Sequence, residues 1–189
     1  MSTPVLHVVA GPNGAGKSTF VHRLLQPVTG LPFVNADELA AERWPGDAAA
    51  HAYEASALAA QARTELLGER RSFIAETVFS HPSKVDLIHR GGAAGYVVTL
   101  HAVLIPVDVA VRRVDFRVAT GGHPVPETKI RERYDRLWPL VAAARTLASR
   151  TVFYDNSRAR TPFAPIARYE RGQPVGDARW PSWTPPALL

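Results

Sequence analysis

A glycine-rich segment near the N-terminus constrains the fold of this 189-residue chain more than any other feature. Residues 11–18, GPNGAGKS, fit the pattern G-x-x-x-x-G-K-[ST], with an apolar run at 5–10 before them and helical spacing at 19–26 after them. Glycines let the backbone curl so that its N–H groups point inward, at the positive end of the following helix. The segment therefore predicts a strand, a phosphate-binding loop (P-loop) and a helix in succession.

Each position of this loop has an expected role in nucleotide binding. Lys17 would reach the β- and γ-phosphates, which makes it a candidate catalytic residue, and the hydroxyl of Ser18 would ligate Mg²⁺. ATP and Mg²⁺ are accordingly the expected cofactors. The predicted nucleotide-binding residues are Gly11, Pro12, Asn13, Gly14, Ala15, Gly16, Lys17, Ser18 and Thr19.

Length and composition exclude several classes of protein. A chain of this length fits one domain with a full core. It contains no cysteine, which excludes a disulfide framework and a thiolate metal site. The N-terminal residues lack a basic region followed by a long apolar one, and no apolar run approaches the roughly eighteen residues of a membrane span. We therefore expect a cytoplasmic protein without a membrane partner.

The positive charge of the chain comes almost entirely from arginine. The formal net charge is +5, and lysine occurs only at positions 17, 84 and 129. Guanidinium binds phosphate in a bidentate manner, so the balance fits a phosphorylated ligand, although weak non-specific nucleic-acid binding would fit it too. The arginines concentrated in 112–136 indicate either a local phosphate site or solvated helix faces.

Apolar, β-rich runs alternate with helical ones along most of the chain. Strands are predicted at 5–10, 31–35, 72–77, 96–105 and 151–154, and helices at 18–26, 37–43, 48–67, 82–90, 108–119 and 127–147. This alternation predicts an α/β fold with a parallel, doubly wound sheet and helices on both faces. Pro139 predicts a kink or a break in the last helix, and 162–169 an edge strand.

The domain organisation follows from the change of pattern after the fifth strand. We expect one P-loop domain over 1–169 and a tail over 170–189 that contains Trp180 and Trp183 and packs on the same domain. Ligands of open α/β sheets bind beyond the C-terminal ends of the strands, so the polar residues at those ends are the candidates for chemistry.

The second strand ends in the sequence FVNADEL, which places Asn35 and Asp37 at the mouth of the crevice. A carboxylate there could accept the proton of an acceptor hydroxyl during phosphoryl transfer, as a general base. Aspartate is also a favoured N-cap, so Asp37 could instead begin the next helix, and both roles are compatible. Asn35 is a candidate substrate-binding residue.

The third strand ends in FIAETVF, with Glu76 and Thr77 as candidate substrate-binding residues. Glu76 could hold a substrate hydroxyl or a magnesium-bound water, or it could be a strand-end side chain satisfied by the backbone. Asp108 and Asp155 are weaker alternatives for an acidic residue near the metal. Contacts to adenine are expected in the loop at 156–158.

A basic helix followed by two glycines has the composition of a mobile lid. Arg113 and Arg117 lie four residues apart and so share a helix face, and the pair Gly121-Gly122 follows, then His123. Arginines on a closing segment would offset the charge of the transferring phosphoryl group. Arg113 and Arg117 are therefore candidate catalytic residues, and His123 a candidate substrate-binding residue. A solvated basic helix with an ordinary loop is the alternative.

The ordered set of motifs resembles the zeta-toxin family of P-loop kinases, in particular its short, free-standing branch known as predicted ABC-type ATPases. The set comprises the P-loop, NADE, AET, the arginine helix running into GGHPVPETKIRERY, and YDNS. The resemblance implies an ATP-dependent kinase of UDP-N-acetylglucosamine, with Asp37 as the base and Arg113 or Arg117 as the first transition-state arginine. It also implies a possible protein antitoxin. His123 stands where the family places a second arginine.

Two other classes of function remain open at this point. A P-loop ATPase switch or transport motor is one, but the chain has no LSGGQ-like segment and no convincing Walker B acid. A nucleic-acid-acting kinase is the other, suggested by the calculated pI near 10.0. The basic segment contains few aromatic residues for base stacking, so a small-molecule hydroxyl acceptor is favoured over nucleic acid as the partner.

Overall fold

The computed structural model describes residues 2–119 and 125–189. Its centre is a seven-stranded sheet in the order β2-β3-β1-β4-β5-β6-β7. The strands are β1 Val5–Ala10, β2 Phe33–Val34, β3 Phe73–Thr77, β4 Val97–Leu104, β5 Arg150–Asp155, β6 Ala164–Glu170 and β7 Gln173–Pro174. The pairs among β1 to β5 are parallel, whereas β6 and β7 are antiparallel to their neighbours. The predicted α/β class with a mostly parallel sheet is confirmed.

Seven α-helices and one π-helical turn connect or flank the strands of the described residues. They are α1 Lys17–Phe20, the π-helical turn Val21–Leu25, α2 Gln26–Thr29, α3 Ala36–Arg43, α4 Ala52–Gly68, α5 Ser83–Ala93, α6 Val107–Ala119 and α7 Glu127–Leu147. None of the helices in the described ranges combines the length and apolar character that a membrane crossing requires.

Two predicted details of the fold need correction. The strand predicted at 162–169 exists as β6, but the two-residue β7 pairs with its end, at Tyr169 and Glu170, and is the last strand of the sheet. Of the kink or break predicted at Pro139, the break is wrong, because helix α7 continues through that residue. Pro139 lies on the exposed side of α7, where water can bond the carbonyl that loses its intrahelical partner, so the break that proline often causes is avoided.

The sheet separates two hydrophobic clusters, which fixes the face toward which each strand residue points. Phe73 and Ala75 of β3 pack with Ala59 of α4 in one cluster, whereas Ile74 packs with Phe20 of α1 in the other. Side chains alternate between the faces of a strand, so the P-loop helix covers one face and α4, α5 and α7 cover the other.

The C-terminal residues return to the domain. Trp180 packs edge-on against Phe153 of β5, with ring centroids 5.1 Å apart, and Trp183 also contacts the larger cluster. A short 3₁₀ turn, Pro186–Leu188, ends the chain, and Leu188 is buried against α7.

Candidate active site

The loop between β1 and α1 has the geometry of a phosphate cradle. Gly14 and Gly16 have φ angles of 74° and 84°, which side chains other than glycine rarely adopt. A Cβ atom at Gly14 would lie 2.9 Å from the carbonyl oxygen of Ala110. The loop is therefore closed against α6, and its tight curl requires glycine. The Oδ1 atom of Asn13 is buried without a hydrogen-bond partner among the described residues.

Lys17 lies buried at the base of this loop. Its Nζ atom donates a hydrogen bond to the carbonyl of Pro12 at 3.1 Å and lies 3.8 Å from Oε1 of Glu76. Burial lowers the pKa of Lys17, while the negative charges of Glu76 and Asp37 oppose that shift. A buried ammonium group with one carboxylate beside it retains donors for a phosphate, so the loop fits the nucleotide that its sequence predicts.

Glu76 connects the loop to the second strand. Its Oε2 atom accepts hydrogen bonds from the hydroxyl of Ser18 at 2.8 Å and from the Nδ2 amide of Asn35 at 2.7 Å. The side chain is satisfied by other side chains and not by the backbone, so that alternative is wrong. Burial raises the pKa of Glu76, whereas Lys17 and the Ser18 hydrogen bond lower it.

Ser18 and Glu76 also have oxygen atoms that could hold a metal. Magnesium takes oxygen ligands and commonly uses one or two protein groups, with phosphates and water completing its shell. A hydroxyl oxygen and a carboxylate oxygen 2.8 Å apart fit that requirement. Within the described ranges no group of three or more His, Cys, Asp or Glu residues could form an all-protein metal cage.

Asn35 and not Asp37 caps helix α3. The Oδ1 atom of Asn35 accepts hydrogen bonds from the backbone N–H groups of Asp37, at 2.7 Å, and Glu38, at 3.4 Å. The capping role weighed for Asp37 is therefore wrong. The carboxylate of Asp37 is exposed and accepts no hydrogen bond from the residues described, yet its charge acts on both Lys17 and Glu76. It lies at the mouth of the site with its oxygens uncommitted.

The two lid arginines occupy different environments. Arg113 donates to the carbonyl of Gly14 at 3.3 Å and to that of Asn156 at 2.9 Å, so in this structure it braces the loop. Arg117 is exposed one turn further along α6, and its positive charge lowers the pKa of Lys17, although burial contributes more. His123 and the preceding glycines lie outside the described residues, and the role predicted for His123 stays a prediction.

Three further candidates have contacts of their own. Thr77 accepts a hydrogen bond from the N–H of Phe79 at 3.0 Å, which holds the turn after β3. Asp108 pairs with Arg131 on the surface at 2.9 Å, and Asp155 accepts the N–H of Ser157 at 2.7 Å. The two aspartates thus have structural partners, and Glu76 is the acidic side chain bonded to Ser18.

Asn156 is a residue whose connection to the loop the sequence did not indicate. Its Nδ2 amide donates to the carbonyl of Ala15 at 2.8 Å, and its Oδ1 accepts from the N–H of Phe163 at 3.3 Å. The loop after β5 is therefore bonded to the P-loop directly. Adenine contacts at 156–158 remain a prediction.

A parallel sheet with a phosphate loop after its central strand and an acidic strand end beside it defines a P-loop kinase fold. A putative kinase from Chloroflexus aurantiacus superposes with a TM-score of 0.56 at 20% identity, covering 72% of this chain and 79% of its own. A chain of the AvrRxo1-ORF1:-ORF2 complex with ATP superposes with a TM-score of 0.69 at 15% identity. That match covers 92% of this chain but only 60% of the neighbour.

A chain from a toxin–antitoxin system has the same fold. A chain from the PezAT system of Streptococcus pneumoniae superposes with a TM-score of 0.57 at 13% identity, covering 87% of this chain and 72% of its own. At such identities these likenesses show the fold alone. No curated protein sequence matches the chain. The zeta toxin family model, however, matches residues 1–161, and the chain belongs to the zeta-toxin family.

Proposed function

We propose that this protein is an Mg²⁺- and ATP-dependent kinase that phosphorylates a hydroxyl group of a sugar nucleotide such as UDP-N-acetylglucosamine, with Asp37 as general base. One observation carries the proposal. The Glu76 carboxylate, bonded to Ser18 of the P-loop and to Asn35, joins the nucleotide loop to the helix that bears the uncommitted carboxylate of Asp37.

Each residue of the site would have a separate role in the phosphoryl transfer. Lys17 and the loop amides would hold the β- and γ-phosphates, and Ser18 and Glu76 would hold the metal. Bound Mg·ATP supplies the phosphoryl group. A bond forms between the acceptor oxygen and the γ-phosphorus as the bond to ADP breaks, and Asp37 takes the hydroxyl proton. Arg117, and Arg113 if it leaves its loop carbonyls, would offset the charge during transfer.

The proposed acceptor, protein partner and cellular location each have separate support. Membership of the zeta-toxin family supports a sugar nucleotide as the acceptor, with Asn35, Thr77 and His123 as the proposed substrate contacts. The PezAT neighbour comes from a toxin–antitoxin system, which supports a protein antitoxin as a further partner. The cytoplasm is the proposed location, because ATP and sugar nucleotides are found there, and nucleic acid and membranes are not proposed partners.

The test combines a product assay with one isosteric substitution. Purified protein is incubated with Mg·ATP and a panel of hydroxylated acceptors led by UDP-N-acetylglucosamine, and products are identified by mass spectrometry. We expect one added phosphate on the sugar nucleotide. Asp37→Asn should bind ATP normally but lower turnover by roughly 10²- to 10⁴-fold, the usual contribution of a general base.

Asp177→Asn, at an exposed position in the C-terminal tail, is the matched control and should react as the wild type does. Normal turnover in Asp37→Asn would remove Asp37 as the base. ADP formation with every acceptor unchanged would contradict the kinase proposal and favour a P-loop ATPase, and label transfer to DNA or RNA would favour a nucleic-acid-acting kinase.

A further inference from the structure

Two consecutive carbonyl groups of the P-loop accept hydrogen bonds from side chains of other elements. Asn156 follows β5 and is only 8% exposed, and its Nδ2 amide donates to the carbonyl of Ala15 at 2.8 Å. Arg113 of α6 donates to the carbonyl of Gly14 at 3.3 Å. The middle of the loop is therefore held from outside, by residues about 100 and 140 positions further along the chain.

The direction of these carbonyl groups determines where the N–H groups of the loop point. A loop that surrounds a phosphate turns N–H groups inward, so its carbonyl groups turn outward and need donors of their own. A trans peptide group is planar, with its C=O and N–H on opposite sides. The bond from Asn156 to the Ala15 carbonyl therefore directs the N–H of Gly16 the opposite way, away from Asn156. It orients a backbone donor of the kind that a P-loop uses for phosphate.

Asn156 is itself fixed by further hydrogen bonds. Its backbone N–H donates to the carbonyl of Leu104, at the end of β4, at 2.9 Å, and its Oδ1 accepts from the N–H of Phe163 at 3.3 Å. Its carbonyl accepts a hydrogen bond from Arg113 at 2.9 Å. Because Oδ1 meets a donor and Nδ2 meets an acceptor, the amide can satisfy both partners in one orientation only. The group that holds Ala15 is therefore held rigidly in its turn.

The two supporting side chains lie very close to the glycines of the loop. A Cβ atom at Gly16 would lie 2.9 Å from Nδ2 of Asn156, and one at Gly14 would lie 3.1 Å from Cβ of Arg113. Real Cβ atoms almost never approach another heavy atom so closely. These glycines are thus required by the approach of Asn156 and Arg113 as well as by their positive φ angles.

We propose that Asn156 and Arg113 are positioning residues for the nucleotide phosphates, because they hold the carbonyl groups of Ala15 and Gly14 in the direction that phosphate binding requires. Asn156 would then act on the phosphates through the loop and not on the adenine base. Arg113 would act when the nucleotide binds, before any charge develops during transfer. This inference rests on the proposed function for the nucleotide as the ligand, but binding can be measured without turnover.

The first experiment measures nucleotide binding by the full chain without an acceptor. Mg·ADP is titrated calorimetrically into the wild type, Asn156→Ala and Arg113→Lys. Asn156→Ala should weaken binding about ten- to hundredfold, since it leaves the Ala15 carbonyl without its donor. Arg113→Lys keeps the positive charge, but an ammonium group cannot replace the guanidinium fork that bridges two carbonyls, so binding should weaken about three- to tenfold. Thr161→Ala, at an exposed position between β5 and β6, is the control and should bind as the wild type does.

The second experiment separates the phosphates from the base. Inorganic tripolyphosphate, which has no adenine, competes with Mg·ADP for the wild type and for Asn156→Ala. The substitution should weaken both ligands by the same factor. A loss confined to ADP would mean that Asn156 contacts the base, and failure of tripolyphosphate to bind the wild type would mean that the loop is not held ready for phosphate. Either result overturns the proposal.

Urea denaturation without ligand distinguishes positioning from a purely structural role. If Asn156→Ala and Arg113→Lys lower the free energy of unfolding but bind ADP as the wild type does, the positioning roles are overturned. Arg113 is only half-buried, so Arg113→Lys tests the proposal even if Asn156→Ala folds poorly.

The outcomes also separate this inference from the proposed function. Unchanged ADP affinity in both variants overturns the positioning roles even if the protein is an active kinase. Binding that both variants weaken, in a protein that phosphorylates no acceptor, supports the positioning roles and contradicts the kinase function. No binding of Mg·ADP by the wild type would overturn both.

Discussion

At the scale of a residue, the amide side chain of Asn35 connects helix α3 to the Glu76 carboxylate. Its oxygen caps α3, and its nitrogen donates to Glu76 in the centre of the site. The helix that carries Asp37 is therefore held in place by the same group that orients the carboxylate bonded to Ser18. Movement of Asn35 would displace both acidic residues together.

Substitutions at Asn35 can separate the two bonds. Asn35→Ser keeps an oxygen for the cap but loses the donor to Glu76, and we expect the free energy of unfolding to fall by about 1–2 kcal/mol. Asn35→Ala loses the cap as well, which should cost about 1 kcal/mol more. Urea denaturation of the wild type and both variants measures these differences. Equal stability of Asn35→Ser and wild type would show that the bond to Glu76 contributes nothing.

The residues of the candidate site could be found from the sequence in part. Polar side chains at strand ends identified Asn35, Asp37 and Glu76, because parallel strands end at a common edge. The sequence could not decide which of them caps α3 or what satisfies Glu76, since those outcomes depend on distances of a few ångströms between separate elements.

At the scale of elements, three strands are linked by a chain of polar rings beneath α1. The Nδ1 atom of His7 on β1 lies 3.0 Å from Nε2 of His101 on β4, and Nδ1 of His101 lies 3.3 Å from the hydroxyl of Tyr154 on β5. Phe20 of α1 covers both His101 and Tyr154. Burial, with a smaller contribution from His7, lowers the pKa of His101 to about 3.

The buried contacts of His101 with His7 and Tyr154 predict that the stability of the fold depends on pH. His101 is neutral when folded and titrates near its ordinary value when unfolded, so its contribution is complete above about pH 6.5 and is lost as the pH falls. Between pH 6 and 5 the free energy of unfolding should fall by about 1 kcal/mol more in the wild type than in His101→Phe, given about 1.4 kcal/mol per unit and proton. Urea denaturation at several pH values measures how the free energy of unfolding changes with pH in the wild type and in His101→Phe. The same pH dependence in both proteins would exclude His101 as the cause.

Element prediction succeeded where the sequence pattern was regular. The apolar runs of β1, β3 and β4 and the long amphipathic α7 lie where the periodicity placed them, because burial on two faces of a parallel sheet demands such runs. It failed on the break weighed at Pro139, which the helix avoids at that exposed position, and it did not predict β7. The two residues of β7, Gln173 and Pro174, have low β-propensity and no sequence pattern of a strand. They form a strand only because they pair with the end of β6.

At the scale of the whole molecule, the C-terminal residues pack against the main hydrophobic cluster. Leu188 is 1% exposed against the main cluster, and its carbonyl accepts a hydrogen bond from Arg145 of α7 at 3.1 Å, whereas its neighbour Leu189 is 76% exposed. The C-terminal turn Pro186–Leu188 thus covers part of the surface of α7.

The neighbouring leucines provide a matched pair of substitutions. Leu188→Ala should lower the free energy of unfolding by about 2–4 kcal/mol, because it leaves a cavity among buried side chains. Leu189→Ala should change it by less than about 0.5 kcal/mol. Thermal or urea denaturation compares the two, and equal effects would mean that the tail is not packed as the structure shows.

The sequence by itself determined the phosphate loop, the class of fold and the strand ends that carry the candidate catalytic residues. Glycine spacing and apolar periodicity, which predict these features, are local properties of the chain. Only the tertiary structure decided that Asn35 caps the helix of Asp37 and that Glu76 bonds Ser18. Such contacts join residues far apart in sequence, and their energies depend on burial and distance, which no local pattern encodes.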